Sequence, residues 1–155
     1  MSVLGWASFL HVLAVVLWIG GVFFLDLILV PRLAGYVRAP DERARLLFSL
    51  FRVFFAWVWV AGLVLVVTGY GMVWVLGGLR ALNGARWTMV VVGTLMVLLA
   101  LYIYFGPYWR MGRALTRSDW EEAGRAAARV RLFSGMNLVL AVPAILAGVW
   151  SVFGL

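Results

Sequence analysis

The stretch FLHVLAVVLWIGGVFFLDLILVP, residues 9–31, decides the fold: it is an apolar run that carries one histidine, His11, and one acid, Asp26. A helix needs about 20 apolar residues to cross a hydrocarbon core about 30 Å thick, so this run is long enough to span a bilayer. An ionisable side chain inside such a span is costly and therefore points to a function. His11 is the only histidine of the chain, and the functional argument begins there.

The composition is that of an integral membrane protein. Hydrophobic residues make up 66% of the 155 residues and charged residues only 12%, whereas soluble domains contain about 25% charged residues. The net charge of +7 comes from 13 arginines against six acids. In a membrane protein such an excess sets the topology, and it gives no reason to expect a nucleic acid partner. The absence of cysteine excludes disulfides and thiolate metal sites.

Hydropathy predicts one all-α domain, residues 1–155, with four transmembrane helices over about residues 3–30, 46–76, 87–105 and 132–153. Eleven of the 13 arginines lie in or beside the loops that follow the first and third spans, whereas the loop after the second span carries only Arg80 and Arg86. By the positive-inside rule the eleven arginines face the cytoplasm. We therefore expect a four-helix bundle in the plasma (inner) membrane with both termini outside.

Two short segments predict where helices begin on the Arg-rich side. Residues 39–42 (APDE) place a proline and two acids in a first turn, and residues 118–121 (SDWE) form a capping box. Both helices should run on into the second and fourth spans and project beyond the membrane. Pro31 and Pro107 each follow an odd-numbered span, which hints at duplication of a two-helix unit.

His11 is predicted to lie about 12 Å along the first helix, in the outer leaflet, on a face shared with Trp18. One interpretation is a buried histidine that is hydrogen-bonded to a neighbouring helix. Others are a ligand of a metal ion or haem iron, and a proton relay. In lipid an apolar residue would be less costly at this position, which favours a functional role.

Residues 68–72 (TGYGM) of the second span reach the same depth as His11. Gly69 and Gly71 leave room for a flat macrocycle or a neighbouring helix, Tyr70 supplies a hydroxyl and Met72 a soft thioether. Histidine and methionine together serve as axial ligands of haem or as ligands of Cu(I). The structural alternatives are helix packing for the glycines and core filling for Met72. Met89, in the third span, is a weaker candidate.

Charged groups near the span ends complete the set of candidates. Arg80 and Arg86 lie on the hairpin above Met72, where they would hold the two propionates of a haem or else anchor the hairpin at the headgroups. Asp26 lies about 22 Å along the helix from His11 and cannot share an ion with it. We expect Asp26 to pair with Arg32 or Arg52.

The chain resembles the copper-resistance D (CopD) type of four-helix membrane domain. The resemblance rests on His11 followed by WIGGVFF from Trp18 and by Pro31, on Thr68-Gly69 at the end of the second span, and on Asn137 early in the fourth. That group is similar in turn to the HemJ-type protoporphyrinogen oxidases, which bind haem b. The resemblance implies a haem- or copper-associated bundle in which His11 is a ligand. The HemJ type has further histidines and a lysine in its third span, where this chain has Trp87 and Thr88, so protoporphyrinogen oxidation is not expected.

These observations leave three functions open. The first is a haem b-binding protein, a small b-type cytochrome that exchanges electrons with quinone, porphyrinogen or a small oxidant and would be an oxidoreductase if it is an enzyme. Because the chain has one histidine, its second haem ligand would be Met72, water or a histidine of another subunit in a homodimer. The second is a copper-handling or transport protein with a Cu(I) site, and the third is a structural subunit of a larger complex. The predicted site comprises His11, Met72, Tyr70, Gly69, Trp18, Arg80 and Arg86.

Overall fold

The computed structural model of the protein describes residues 2–153, without the side chain of Phe153. Four long helices build the molecule. They are α1 (Val3–Tyr36), α2 (Pro40–Val75), α3 (Gly84–Thr116) and α4 (Trp120–Phe153). Each is long and apolar enough to cross a membrane, and no strand occurs within residues 2–153. The predicted four-helix membrane bundle is confirmed. Residue 1 and residues 154–155 of the predicted domain lie outside the described residues.

A π-helical turn interrupts both α1 and α3. In α1 it spans Phe24–Leu29, and in α3 it spans Tyr104–Tyr108. Pro31 lies just after the first turn and Pro107 lies within the second. Because proline has no N–H to donate, an α-helix loses a hydrogen bond there, and the wider π turn lets the helix continue. Both helices therefore run well past residues 30 and 105, where the sequence placed the ends of the spans.

The starts of α2 and α4 follow the predicted chemistry, with one shift. Pro40 occupies the first turn of α2, a position where its missing N–H costs nothing. At α4 the N–H of Glu122 donates to Oδ1 of Asp119 at 2.9 Å. The capping residue is therefore Asp119, one position later than SDWE suggested. The 36 residues of α2 make a helix about 54 Å long, so it extends beyond a hydrocarbon core of about 30 Å.

The helices pack as two antiparallel pairs, α1 with α2 and α3 with α4. The tightest packing lies toward the loops at residues 37–39 and 117–119, which we call the Arg-rich end, where Phe51, Met111 and Val130 are fully buried. Stacked aromatic rings join α2 to α3 there, with Phe48 and Tyr108 5.0 Å apart between centroids. The opposite end, formed by the loop between α2 and α3, is called the hairpin end. The core near the Arg-rich end is therefore more tightly packed than the part of the bundle near the hairpin end.

Much of the outer surface is apolar. Long side chains of all four helices are exposed, and four tryptophans, Trp6, Trp74, Trp87 and Trp150, are exposed toward the hairpin end. Tryptophan at this position is typical of a membrane interface. The apolar surface needs a lipid bilayer around it, and the protein is a multi-pass membrane protein.

Candidate functional site

His11 lies between α1 and α2 and is held by Thr68. The Nδ1 atom of His11 is 2.8 Å from the hydroxyl oxygen of Thr68, and that hydroxyl donates to the main-chain oxygen of Val64 at 2.6 Å. A hydroxyl has one hydrogen, so the oxygen of Thr68 must accept the Nδ1–H of His11. In the neutral imidazole, this bond selects the tautomer whose Nε2 atom keeps its lone pair. Such a nitrogen is able to bind a metal ion.

Gly69 allows the close contact between the two helices. A Cβ atom at Gly69 would lie 3.2 Å from Cε1 and 3.7 Å from Nδ1 of His11, the first distance being shorter than an ordinary carbon–carbon contact of about 3.5–4.0 Å. A Cβ atom at Gly71 would meet nothing within 4 Å. We expected the space beside Gly69 to admit a flat macrocycle or a neighbouring helix. In the structure, the imidazole of His11 occupies this space.

Met72 lies along the same seam, one helical turn toward the hairpin end. Its sulfur accepts a hydrogen bond from the hydroxyl of Ser8 at 3.4 Å. Ser8 precedes His11 by three residues in α1, and Met72 follows Thr68 by four in α2. The Ser8–Met72 contact is therefore about 5 Å from the His11–Thr68 contact along the antiparallel pair. The structure therefore brings His11 and Met72 to the same seam at nearly the same depth.

Two other predicted residues face elsewhere. The hydroxyl of Tyr70 lies 2.8 Å from the hydroxyl oxygen of Thr94 in α3. Because the hydroxyl of Thr94 donates to the main chain of Val90, Tyr70 is the donor in this bond. Trp18 is buried two turns from His11 and packs beside Gly62. The structure thus brings neither side chain to the imidazole, and both hold helices together.

The remaining candidates are distributed over the hairpin and the second helix pair. Arg80 is exposed in the 3-10 segment Leu79–Ala81, and Arg86 lies in the first turn of α3. Within residues 2–153 neither arginine forms an ion pair. Met89 packs against Gly148 of α4. The seam itself is therefore formed by Ser8 and His11 of α1 with Thr68, Gly69 and Met72 of α2.

The side chains available restrict the metals that fit. In the described part of the chain, no three histidine, aspartate or glutamate side chains are grouped to hold a metal ion. The imidazole nitrogen and thioether of this seam match the preference of Cu(I) for soft ligands.

The role of Thr68 is a finding of the structure. The sequence showed this residue beside Gly69 but assigned it no part in the site. The available signal was a small hydroxyl side chain in an apolar stretch one turn before Met72, since polar groups inside a bilayer need partners. A hydroxyl already bonded to its own helix remains an acceptor for a neighbouring helix, and this is how Thr68 orients His11.

A family model described as copper resistance protein D matches residues 48–151. The chain belongs to the copper resistance protein D family. The match begins within α2 and includes Thr68, Gly69 and Met72, whereas α1 with His11 precedes it. Comparison with curated proteins and with solved structures gave no match.

Family membership favours one of the predicted functions. The family description names copper resistance, which agrees with the copper interpretation given second above. Neither the family description nor any contact of His11 supports haem, so the haem b interpretation stays a prediction.

Proposed function

We propose that this member of the copper resistance protein D family is a copper-handling membrane protein. Its cargo ion is Cu(I), and the ligands are Nε2 of His11 and the thioether sulfur of Met72. The observation that carries this proposal is the hydrogen-bond chain from His11 through Thr68 to Val64. That chain orients the ring and, in the neutral imidazole, keeps the proton on Nδ1, so that Nε2 is the nitrogen available to a metal ion.

The geometry of the seam supports a soft, labile site. Met72 has three rotatable side-chain bonds, so a sulfur one turn away is within reach of an ion bound at His11. Ser8 donates to that sulfur, and an arriving ion displaces this weak bond. A site with few ligands suits transfer of an ion better than permanent storage.

The position of the seam in the bundle suggests a direction of access. Eleven arginines cluster toward the other end of the molecule, and the positive-inside rule assigns that end to the cytoplasm. The seam then lies in the outer half of the bilayer. Copper would reach His11 and Met72 from the outside, past Ser8 in the second turn of α1.

Anaerobic Cu(I) titration of the purified protein against a chromophoric chelator tests the proposal. We expect His11→Ala and Met72→Leu each to weaken Cu(I) binding by at least about tenfold, a loss of about 1.4 kcal/mol. Met89→Leu is the matched control, because Met89 packs in the other helix pair. X-ray absorption should show nitrogen and sulfur beside copper.

Other results would contradict the proposal. Equal losses in Met89→Leu and Met72→Leu would show that the seam is not the site. Copper binding that survives His11→Ala without change would exclude the imidazole. A Soret band that disappears in His11→Ala would establish the haem b interpretation instead, and a protein that binds neither would be a structural subunit.

A further inference from the structure

Asp26 is a buried carboxylate that the copper site does not use. It lies in the π-helical turn of α1 and is 4% exposed, and neither carboxylate oxygen accepts a hydrogen bond from a described residue. The other five acids stand at the starts of α2 and α4, at positions 41, 42, 119, 121 and 122. Asp26 is thus the one side-chain carboxylate inside an apolar segment.

The π turn explains how Asp26 meets Arg131 of α4. The N–H of Val30 donates to the main-chain oxygen of Leu25 rather than to that of Asp26. Pro31, the next residue, has no N–H to donate. The main-chain oxygen of Asp26 is left free, and it accepts from Nη2 of Arg131 at 3.2 Å. This contact places a guanidinium beside the carboxyl group. It replaces the pairing with Arg32 or Arg52 expected from the sequence.

Arg131 is the charged group that faces Asp26 from the neighbouring helix. Its Nε atom is buried and makes no hydrogen bond to a described residue. Arg32, on the same helix as Asp26, is exposed and donates to the main chain of Ile28. Arg52 of α2 is exposed. Two acceptor oxygens of Asp26 and one N–H donor of Arg131 are therefore buried on neighbouring helices without a hydrogen-bond partner among the described residues.

We propose that Asp26 and Arg131 form a hydrated proton-binding site in the half of the bundle nearer the Arg-rich end. A buried carboxylate without hydrogen bonds is very costly, and such a group binds water or takes up a proton. Three unpartnered polar atoms are enough partners for one water molecule. Hydronium transfers its proton to the carboxylate, which gives a neutral carboxylic acid and water. Arg131 stays charged and hydrogen-bonded to the main chain.

Infrared difference spectroscopy of the protein in lipid nanodiscs, titrated with acid, tests this site. Several carboxylic C=O bands appear on acidification, because the exposed acids also take up protons; we expect one of these bands to be lost in Asp26→Asn and to shift in D₂O. Asp119→Asn is the control: it removes an exposed carboxylate while asparagine still caps the helix, so the band should remain. In Arg131→Gln the band should persist to higher pH, because the carboxylate loses its neighbouring positive charge.

Several results would contradict the proposal. If the carboxylic bands of the unaltered protein and of Asp26→Asn are the same at every pH, Asp26 stays ionised beside Arg131 and the proposal is wrong. A band that does not shift in D₂O would show a dry site. Should Asp26→Asn fail to fold, ¹³C-aspartate labelling must shift the band in a protein that carries Asp41→Asn and Asp119→Asn, where Asp26 is the remaining aspartate, and ¹³C-glutamate labelling must not.

Discussion

Gly69→Ala, compared with Gly71→Ala, measures the contact between α2 and His11. In a helix interior, replacing glycine by alanine stabilises by about 0.8–1.0 kcal/mol. At Gly71 the new methyl group meets nothing within 4 Å, so the full gain is expected. At Gly69 it lies 3.2 Å from the imidazole, and the ring must move by a few tenths of an ångström.

Moving the ring affects the hydrogen bond between His11 and Thr68, since its two atoms are already at 2.8 Å. Loss of such a bond costs about 1 kcal/mol. The two terms nearly cancel, so Gly69→Ala should leave the free energy of unfolding about unchanged. The two variants should then differ by about 1 kcal/mol, or about fivefold in the unfolding equilibrium constant.

Unfolding by SDS in mixed micelles, followed by circular dichroism, provides the measurement. A second background isolates the cause: in Thr68→Val there is no hydrogen bond to lose, so Gly69→Ala should stabilise as much as Gly71→Ala does. Equal stability of the two single alanine variants would refute the contact. A deficit at Gly69 that persists in Thr68→Val would refute the explanation through the hydrogen bond.

Three further changes test the packing and the helix starts. Phe51→Ala removes a fully buried side chain and should lower the free energy of unfolding by about 3–5 kcal/mol in the same assay. Val53 is 57% exposed, so the control Val53→Ala should have little effect. Similar losses in the two variants would contradict the assigned core. Ser118→Gly should stabilise by up to about 1 kcal/mol, because Ser118 has φ 56°, which disfavours side chains with a Cβ. Asp119→Ala should destabilise by about 1 kcal/mol through loss of the cap, and a neutral result would exclude the capping role.

The sequence predicts the helices well because apolar length and arginine distribution are local signals. It also predicts that Met72 reaches the depth of His11, since helix rise converts residue number into distance. The prolines mislead in one respect. Pro31 and Pro107 look like helix ends. Inside a bilayer, however, water is not available to hydrogen-bond the backbone, and both helices continue through π turns.

Contacts between distant residues could not be derived from the sequence alone. Asp26 and Arg131 are 105 positions apart, and nothing local favours Arg131 over Arg32 or Arg52. The direction of Tyr70 toward Thr94 depends on how α2 rotates about its own axis. The hydrogen bond that orients His11 depends on the same rotation, which is set by packing of all four helices.

The π turn of α1 also affects how relatives of this chain are aligned. A turn closed by i→i−5 hydrogen bonds contains about one residue more than an α-helical turn. A relative that is one residue shorter between the positions of His11 and Pro31 would restore the regular α-helical ladder. In such a comparison the gap belongs within residues 24–29, and a gap placed in the following loop would assign the wrong residue to the position of Asp26.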